Sequence, residues 1–266
     1  MCNRCGCALK AEEPHAHVAG AAGAAGAAGA AGAAGAAGAA GAAHTVEVLQ
    51  HLLAANDEAA AHNRAHLDAH GVLAINLMSS PGAGKTALLE ATIDALGGRL
   101  RIGVIEGDLE TENDAQRIRA HGVPAVQITT GTACHLDAHQ IHRALHRLPL
   151  DELDVLFIEN VGNLVCPASF DLGQHHNVVL LSVTEGDDKP SKYPVMFRAA
   201  DLVVLSKADL LDLLDDFDPR RAAAALRELG RDTPLIRVAA RRAPALGAWL
   251  GWLESTRQAH RAPLEA

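Results

Sequence analysis

Aromatic residues are scarce in this 266-residue sequence: two Trp, one Tyr and four Phe. No lysine or arginine cluster interleaves with them, and the net charge is −9. A chain of that balance has neither the basic stripe that a phosphate backbone needs nor the patch that holds an anionic bilayer, so neither nucleic acid nor membrane is expected as a partner. No apolar run approaches the roughly 20 residues of a membrane-spanning helix, and the opening MCNRCGC lacks the apolar stretch of a secretory leader. A cytoplasmic location is expected. There are only five cysteines, an odd number, which in a reducing compartment points to thiolate or metal chemistry rather than a disulfide framework. Hydrophobic residues make up 49%, inflated by an alanine tract, and suffice for one α/β domain with extensions.

The stretch VLAINLMSSPGAGKT, Val72 to Thr86, is a short apolar run feeding a glycine-rich turn and then a helix-forming segment. It reads as a buried parallel strand and a phosphate cradle. Gly82, Ala83 and Gly84 are small enough for successive backbone N–H groups to wrap phosphates, Lys85 neutralises their charge, and the Thr86 hydroxyl is placed to ligate Mg2+. Ser79 stands where the pattern G-x-x-x-x-G-K-[ST] has its first glycine. Two more apolar runs end in acid. RIGVIEGD predicts a strand closing on Asp108, with Asp114 as the alternative switch carboxylate, and DVLFIE predicts one closing on Glu159, where Mg2+ is held through water. DLVVLSKAD ends in Ser206, Lys207, Ala208 and Asp209, close to the N-K-x-D tetrad that reads guanine. There Asp209 would accept from the guanine N1–H and amine, the Lys207 stem would cover the ring, and adenine would leave the carboxylate unpaired.

Three cysteines, Cys2, Cys5 and Cys7, fall in the first seven residues. A short loop can close three sulfurs on one soft or borderline ion, and a backbone or terminal nitrogen as fourth ligand would suit square-planar Ni2+ better than tetrahedral Zn2+. A redox-active thiol pair fits the same spacing. From Ala19 to Ala43 the chain repeats A-A-G. Without proline a collagen helix is excluded, and glycine opposes helix at every third position, so a loose linker of about 25 to 30 Å end-to-end distance is expected. Thr45 to His70 predicts a helix stopped by Gly71, with His62, His66 and His70 on one face. That spacing fits a metal or, more ordinarily, a solvated stripe.

A second constellation begins at Gly131: GTACHLDAHQIHRALHRL. Cys134 is expected to open a helix whose dipole favours thiolate, with His135 and His139 one turn apart and Cys166 arriving on the loop after the next strand. Together they form a mixed sulfur and nitrogen set suited to Zn2+ or Ni2+. His142 and His146 read as exposed positions.

These blocks together resemble one family, the hydrogenase nickel-incorporation GTPases, or HypB family. The similarity runs from Asn76 to about Asp212 through SSPGAGKT, EGD, GTACHLDAH, FIENVGNLVCPASFDLG, LLSVTEGDDKPSKYPVMFRAAD and SKAD, and includes the N-terminal CNRCGC. The resemblance implies a GTP-dependent metallochaperone that hydrolyses GTP to GDP and phosphate and delivers Ni2+ to [NiFe] hydrogenase. It implies a nickel site at the N-terminal cysteines and a Zn2+ or Ni2+ site across a GTP-promoted homodimer interface, mapping onto Cys134, His135, His139 and Cys166. A HypA-type zinc protein and the hydrogenase large-subunit precursor are the implied partners. Where many members carry a histidine-rich stretch, this chain has the AAG repeats with only His15 and His17, a composition unsuited to bulk nickel storage.

The expected architecture is an α/β P-loop NTPase three-layer fold with a mostly parallel sheet and a flexible N-terminal arm. Its parts are a metal-binding arm (1–18), an Ala/Gly linker (19–43) and a GTPase domain with an N-terminal helix (44–266). A urease-accessory GTPase would share the chemistry but carries a Cys-Pro-His motif, whereas His135 directly follows Cys134. A small-molecule P-loop kinase, with a structural metal, would need a basic lid, which the segments after Glu159 do not supply.

Overall fold

A computed structural model describes residues 34–108, 112–241 and 243–261. The chain divides into two units, Met1–Ala54 and Ala55–Ala266. Cys2, Cys5 and Cys7 lie outside the described residues. Helix α1 spans Ala34–Ala69, so it begins inside the alanine-glycine tract, where a loose linker was expected. Alanine has the highest helix propensity of any residue, and extending an existing helix by one residue is far less costly than nucleating one, which offsets Gly35, Gly38 and Gly41. The helix stops as expected at Gly71, whose φ of +62° turns the chain toward the sheet.

Among the described residues seven strands follow: β1 (Leu73–Ser79), β2 (Ile102–Asp108), β3 (Ala125–Thr129), β4 (Val155–Glu159), β5 (His176–Ser182), β6 (Leu202–Ser206) and β7 (Leu235–Arg237). They form one sheet in the order β3-β2-β4-β1-β5-β6-β7, and every neighbouring pair is parallel. All seven carboxyl ends therefore lie along one edge. The crossovers carry α2 (Lys85–Leu96), α3 (Asn113–Ala120), α4 (Ala138–Leu145), α5 (Lys189–Lys192), α6 (Pro194–Arg198) and α7 (Pro219–Glu228), and α8 (Gly247–Arg261) closes the chain.

Central β1 is buried along its whole length, which is why its sequence is continuously apolar rather than alternating. Leu73, Ile75 and Leu77 face α2 and α8, packing with Leu88, Leu89, Leu96, Trp249 and Leu253. On the opposite face Ala74 packs with Leu67 of α1 and Ile141 and Leu145 of α4. Trp249 is fully buried and its indole N–H donates to Thr92 Oγ1 at 2.8 Å.

The buried face of α1 includes two asparagines. Asn56 Oδ1 accepts from the Ala138 N–H, and Asn63 Nδ2 donates to the carbonyls of Ala138 and Leu172. These bonds satisfy backbone groups at the start of α4 and, at Leu172, in the segment before β5. Leu52 and Leu53 of α1 are exposed.

Candidate functional site

At the carboxyl end of β1 the chain passes from buried Ser79 through Gly82 and Gly84, whose φ angles of +72° and +100° are accessible almost only to glycine. Gly84 caps α2. Ser79 takes a specific part at the position where the phosphate-loop pattern has glycine. Its hydroxyl donates to the Ser80 carbonyl at 2.6 Å and accepts from Lys85 Nζ at 3.2 Å. The ammonium thus rests within the loop, 3.8 Å from Glu159 Oε1.

Thr86 Oγ1 donates to the same Glu159 oxygen at 2.9 Å. Glu106 is the residue that sequence reasoning missed. Parallel register places it directly beside Glu159 on the neighbouring strand, and both are buried. Burial and the Glu159 charge push Glu106 up to about 11. Burial raises Glu159 as well, opposed by Lys85. Glu106 Oε2 and Glu159 Oε2 are both buried without a partner. Two adjacent carboxyls short of positive charge, beside a threonine hydroxyl, fit a divalent oxygen-loving cation such as Mg2+. The period-two signal was available, because Glu106 and Asp108 share one face of β2. Asp108 and Asp114 line the same cleft, of about 380 Å3.

Gly162 closes this cleft from the far side. A Cβ there would lie 2.8 Å from Pro81 Cα and 2.9 Å from Pro81 N, so only glycine lets the segment after β4 approach the phosphate loop. A second cleft of about 430 Å3 is lined by Gly84, Leu88, Ser206, Lys207, Asp209 and Arg241. Ser206 Oγ donates to the Ala83 carbonyl at 2.7 Å, tying the base-side loop to the phosphate loop. Lys207 has a φ of +55°, the one non-glycine residue with positive φ among the described residues. This backbone conformation lets Ala208 N–H reach the Val238 carbonyl at 3.0 Å.

The metal set assembles in part. Cys134 Sγ lies 2.9 Å from Cys166 Sγ and 3.6 Å from His135 Nδ1, and these three donors lie within mutual reach of a single ion. His135 is stacked on Phe170 at a centroid distance of 3.8 Å, which holds its ring at the thiols. Burial lowers the His135 pKa, so the imidazole is neutral and able to ligate. His139 does not join them. Asp137 forms a capping box with Gln140 and starts α4 at Ala138, which puts His135 before the helix and exposed His139 inside it.

The expected dipole effect on Cys134 is therefore corrected. The thiol precedes the helix, and its contact with Cys166, reinforced by burial, raises its pKa. Asn163 Nδ2 donates to the Cys134 carbonyl at 3.2 Å, and Asn163 Oδ1 accepts from the Val165 N–H at 2.9 Å. Asn160 Oδ1 accepts from the Leu136 N–H at 3.3 Å. Two asparagines on the segment between Glu159 and Cys166 thus fasten the thiol loop to it. His146 is exposed as expected, whereas His142 is half-buried. The His142 ring is 5.1 Å from that of His62, and His146 is 5.5 Å from His66.

Residues 73–236 match the family model described as CobW/HypB/UreG, nucleotide-binding domain. The hydrogenase maturation factor HypB of Azotobacter vinelandii is 56% identical over 212 residues, covering 80% of this chain and 70% of that one. That of Escherichia coli K12 is 52% identical over 212 residues, with 80% and 73% covered. Among solved structures, HypB from Helicobacter pylori in complex with nickel superposes with a TM-score of 0.73 at 42% identity, covering 76% of this chain and 95% of that one. HypB from Archaeoglobus fulgidus gives 0.72 at 38%, with 77% and 100% covered. A phosphate loop on an all-parallel sheet, a thiol and imidazole cluster one loop away, and relatives of this identity together place the chain in the HypB family of hydrogenase maturation factors.

Proposed function

We propose that this protein is a GTP-dependent nickel metallochaperone that carries Ni2+ to [NiFe] hydrogenase during its maturation, hydrolysing GTP to GDP and phosphate. The observation that carries this reading is the six-residue path from Glu159, at the base of the phosphate cleft, to Cys166 in the thiol cluster. On that path Gly162 touches the phosphate loop and Asn163 holds the Cys134 backbone. Lys85 and the loop amides bind the phosphates, and Asp209 with Lys207 selects guanine. Thr86, Glu159 and Asp108, with Glu106 beside them, would hold Mg2+, which supplies charge neutralisation at the phosphates. Loss of the γ-phosphate alters what Gly162 packs against, and a shift there reaches both thiols through Asn163 and the backbone.

The cargo binds at Cys134, His135 and Cys166, where Zn2+ competes for the same donors. Exposed His139 lies outside this set in one chain and is available to a second copy in a GTP-promoted homodimer. The N-terminal Cys2, Cys5 and Cys7 form the other nickel site. A HypA-type protein and the hydrogenase large-subunit precursor are the partners proposed, in the cytoplasm.

The test is nickel titration followed by thiolate-to-nickel absorbance, on wild type and on Cys134→Ala/Cys166→Ala, each with GDP and with a non-hydrolysable GTP analogue. Nickel affinity at the domain site should change about tenfold or more between nucleotides, and reciprocally nickel should change nucleotide affinity by the same factor. Equal nickel affinity in both nucleotide states would overturn the reading. Phosphate transferred to a small molecule rather than to water would replace it with a kinase.

A further inference from the structure

Besides the thiol cluster, two groups of imidazoles lie outside the nucleotide and cargo sites, and hydrogen bonding assigns them opposite chemistry. In the first, the backbone N–H of Ala74 donates to His175 Nδ1 at 2.8 Å. The His175 proton is therefore on Nε2, 3.0 Å from Asp68 Oδ1. That nitrogen donates to the carboxylate and has no lone pair for a metal, although Asp68, His175 and His260 are close enough together to suggest one.

The second group, between α1 and α4, is arranged the other way. Asn63 Nδ2 donates to two backbone carbonyls, at 2.8 and 3.1 Å, which fixes the orientation of the amide and leaves Oδ1 as acceptor. His142 Nδ1 lies 3.2 Å from that oxygen and must carry the proton. His142 Nε2 therefore presents its lone pair, oriented through a buried amide in the way that metal-ligating imidazoles are. It accepts from the Nε2–H of His146 at 3.2 Å, a proton that the exposed His146 ring can carry on Nδ1 instead. Two nitrogens on one tetrahedral ion with bonds of 2.0 to 2.1 Å lie about 3.3 to 3.4 Å apart, and the ring centroids about 5 Å apart. The His142 and His146 centroids are 4.7 Å apart, and those of His62 and His142 5.1 Å. His62 Nε2 and His66 Nδ1 are buried without a hydrogen-bond partner, which is costly unless something is to be bound.

We propose that His142 and His146, whose Nε2 atoms already stand at chelating distance, bind a borderline divalent transition-metal ion of the Zn2+ and Ni2+ class, as a site distinct from the thiol cluster. The three donors of His62, His142 and His146 are not gathered within reach of one another, so His62, whose buried Nε2 has no partner, joins as third ligand only by turning its ring. Imidazole nitrogens with no thiolate or carboxylate suit such an ion and reject Mg2+ and Ca2+. Burial and neighbouring imidazoles keep His142 and His66 near pKa 4, so their lone pairs are available at neutral pH. An ion here would staple α1 to α4, the helix that follows the Cys134 loop.

The site is tested in the full chain with all five cysteines replaced by serine, titrated with Co2+ and then Zn2+ in the absence of nucleotide. One equivalent should bind with d–d absorption, no thiolate charge transfer and a rise in melting temperature. His142→Gln and the more exposed His146→Gln should each weaken binding at least tenfold, with His139→Gln, three residues away, as an unaffected control. In the chain with native cysteines, His142→Gln/His146→Gln should lower the bound Zn2+ by one equivalent, which keeps the test valid if the serine background folds poorly. Affinity and stoichiometry unchanged by His142→Gln/His146→Gln overturns the proposal. Since the serine background offers no thiolate and nucleotide is absent, its failure is separable from failure of the chaperone reading.

Discussion

Gly162 is constrained by its neighbour rather than by its own conformation. Its added Cβ would meet Pro81 backbone atoms at 2.8 and 2.9 Å, and backbone cannot swing away as a side chain can. Gly162→Ala should therefore displace the phosphate loop and weaken GTP binding about tenfold, near 1.4 kcal/mol, in the range of overpacking costs. Titration with a fluorescent GTP analogue checks it. An unchanged dissociation constant would mean that the segment moves freely away from the loop. The serine departures have the reverse lesson. Ser79 and Ser206 each supply a hydrogen bond inside the site, to Lys85 and to the Ala83 carbonyl, which a pattern written in glycine and asparagine does not anticipate. Glu106 lies in the run RIGVIEGD two residues before Asp108, but one strand read alone does not say which carboxylate lies beside Glu159.

At the scale of elements, the start of α4 decides which histidine can reach the thiols. The capping box of Asp137 and Gln140 was readable from the sequence in principle, but the apolar and histidine pattern suggested an earlier start. The packing of α1 on α4 was beyond reach of sequence, and so was the enclosure of His66, only 2% exposed, among His62, His70 and His146. His66 and His142 titrate near 4 in the folded protein against 6.5 as ordinary histidines. The unfolded chain thus takes up protons first as the pH falls. Their contribution is fully present above pH 6.5 and is lost progressively toward pH 4. In metal-free buffer with chelator, the two together should cost about 2 to 3 kcal/mol of stability between pH 7 and pH 5, allowing for solvent at His142. Urea unfolding at the two pH values measures this. His66→Leu should flatten the slope by roughly half, and an unaltered slope would place the acid sensitivity elsewhere.

For the whole molecule, the unit Ala55–Ala266 contains every strand and all the buried hydrophobic clusters found among the described residues. Removing residues 1–43 should leave the melting temperature within about 2 °C and GTP affinity unchanged, while abolishing the thiolate-to-nickel band that Cys2, Cys5 and Cys7 contribute. Differential scanning calorimetry with nickel titration of the truncated chain reads both, and a large loss of stability would show that the tract supports the domain. Sequence alone determined the class of fold, the phosphate loop, the strand-ending acids and the order of the elements. These are local signals: apolar runs long enough for buried parallel strands, glycines where φ must be positive, and spacings within a few residues. Only the tertiary structure decided that Glu106 joins Glu159, that Cys134 meets Cys166 without His139, and that imidazoles from α1 and α4 converge. Those pairings depend on strand register, a helix cap and the packing of one face on another, and such long-range geometry is set by the collapse of the whole core.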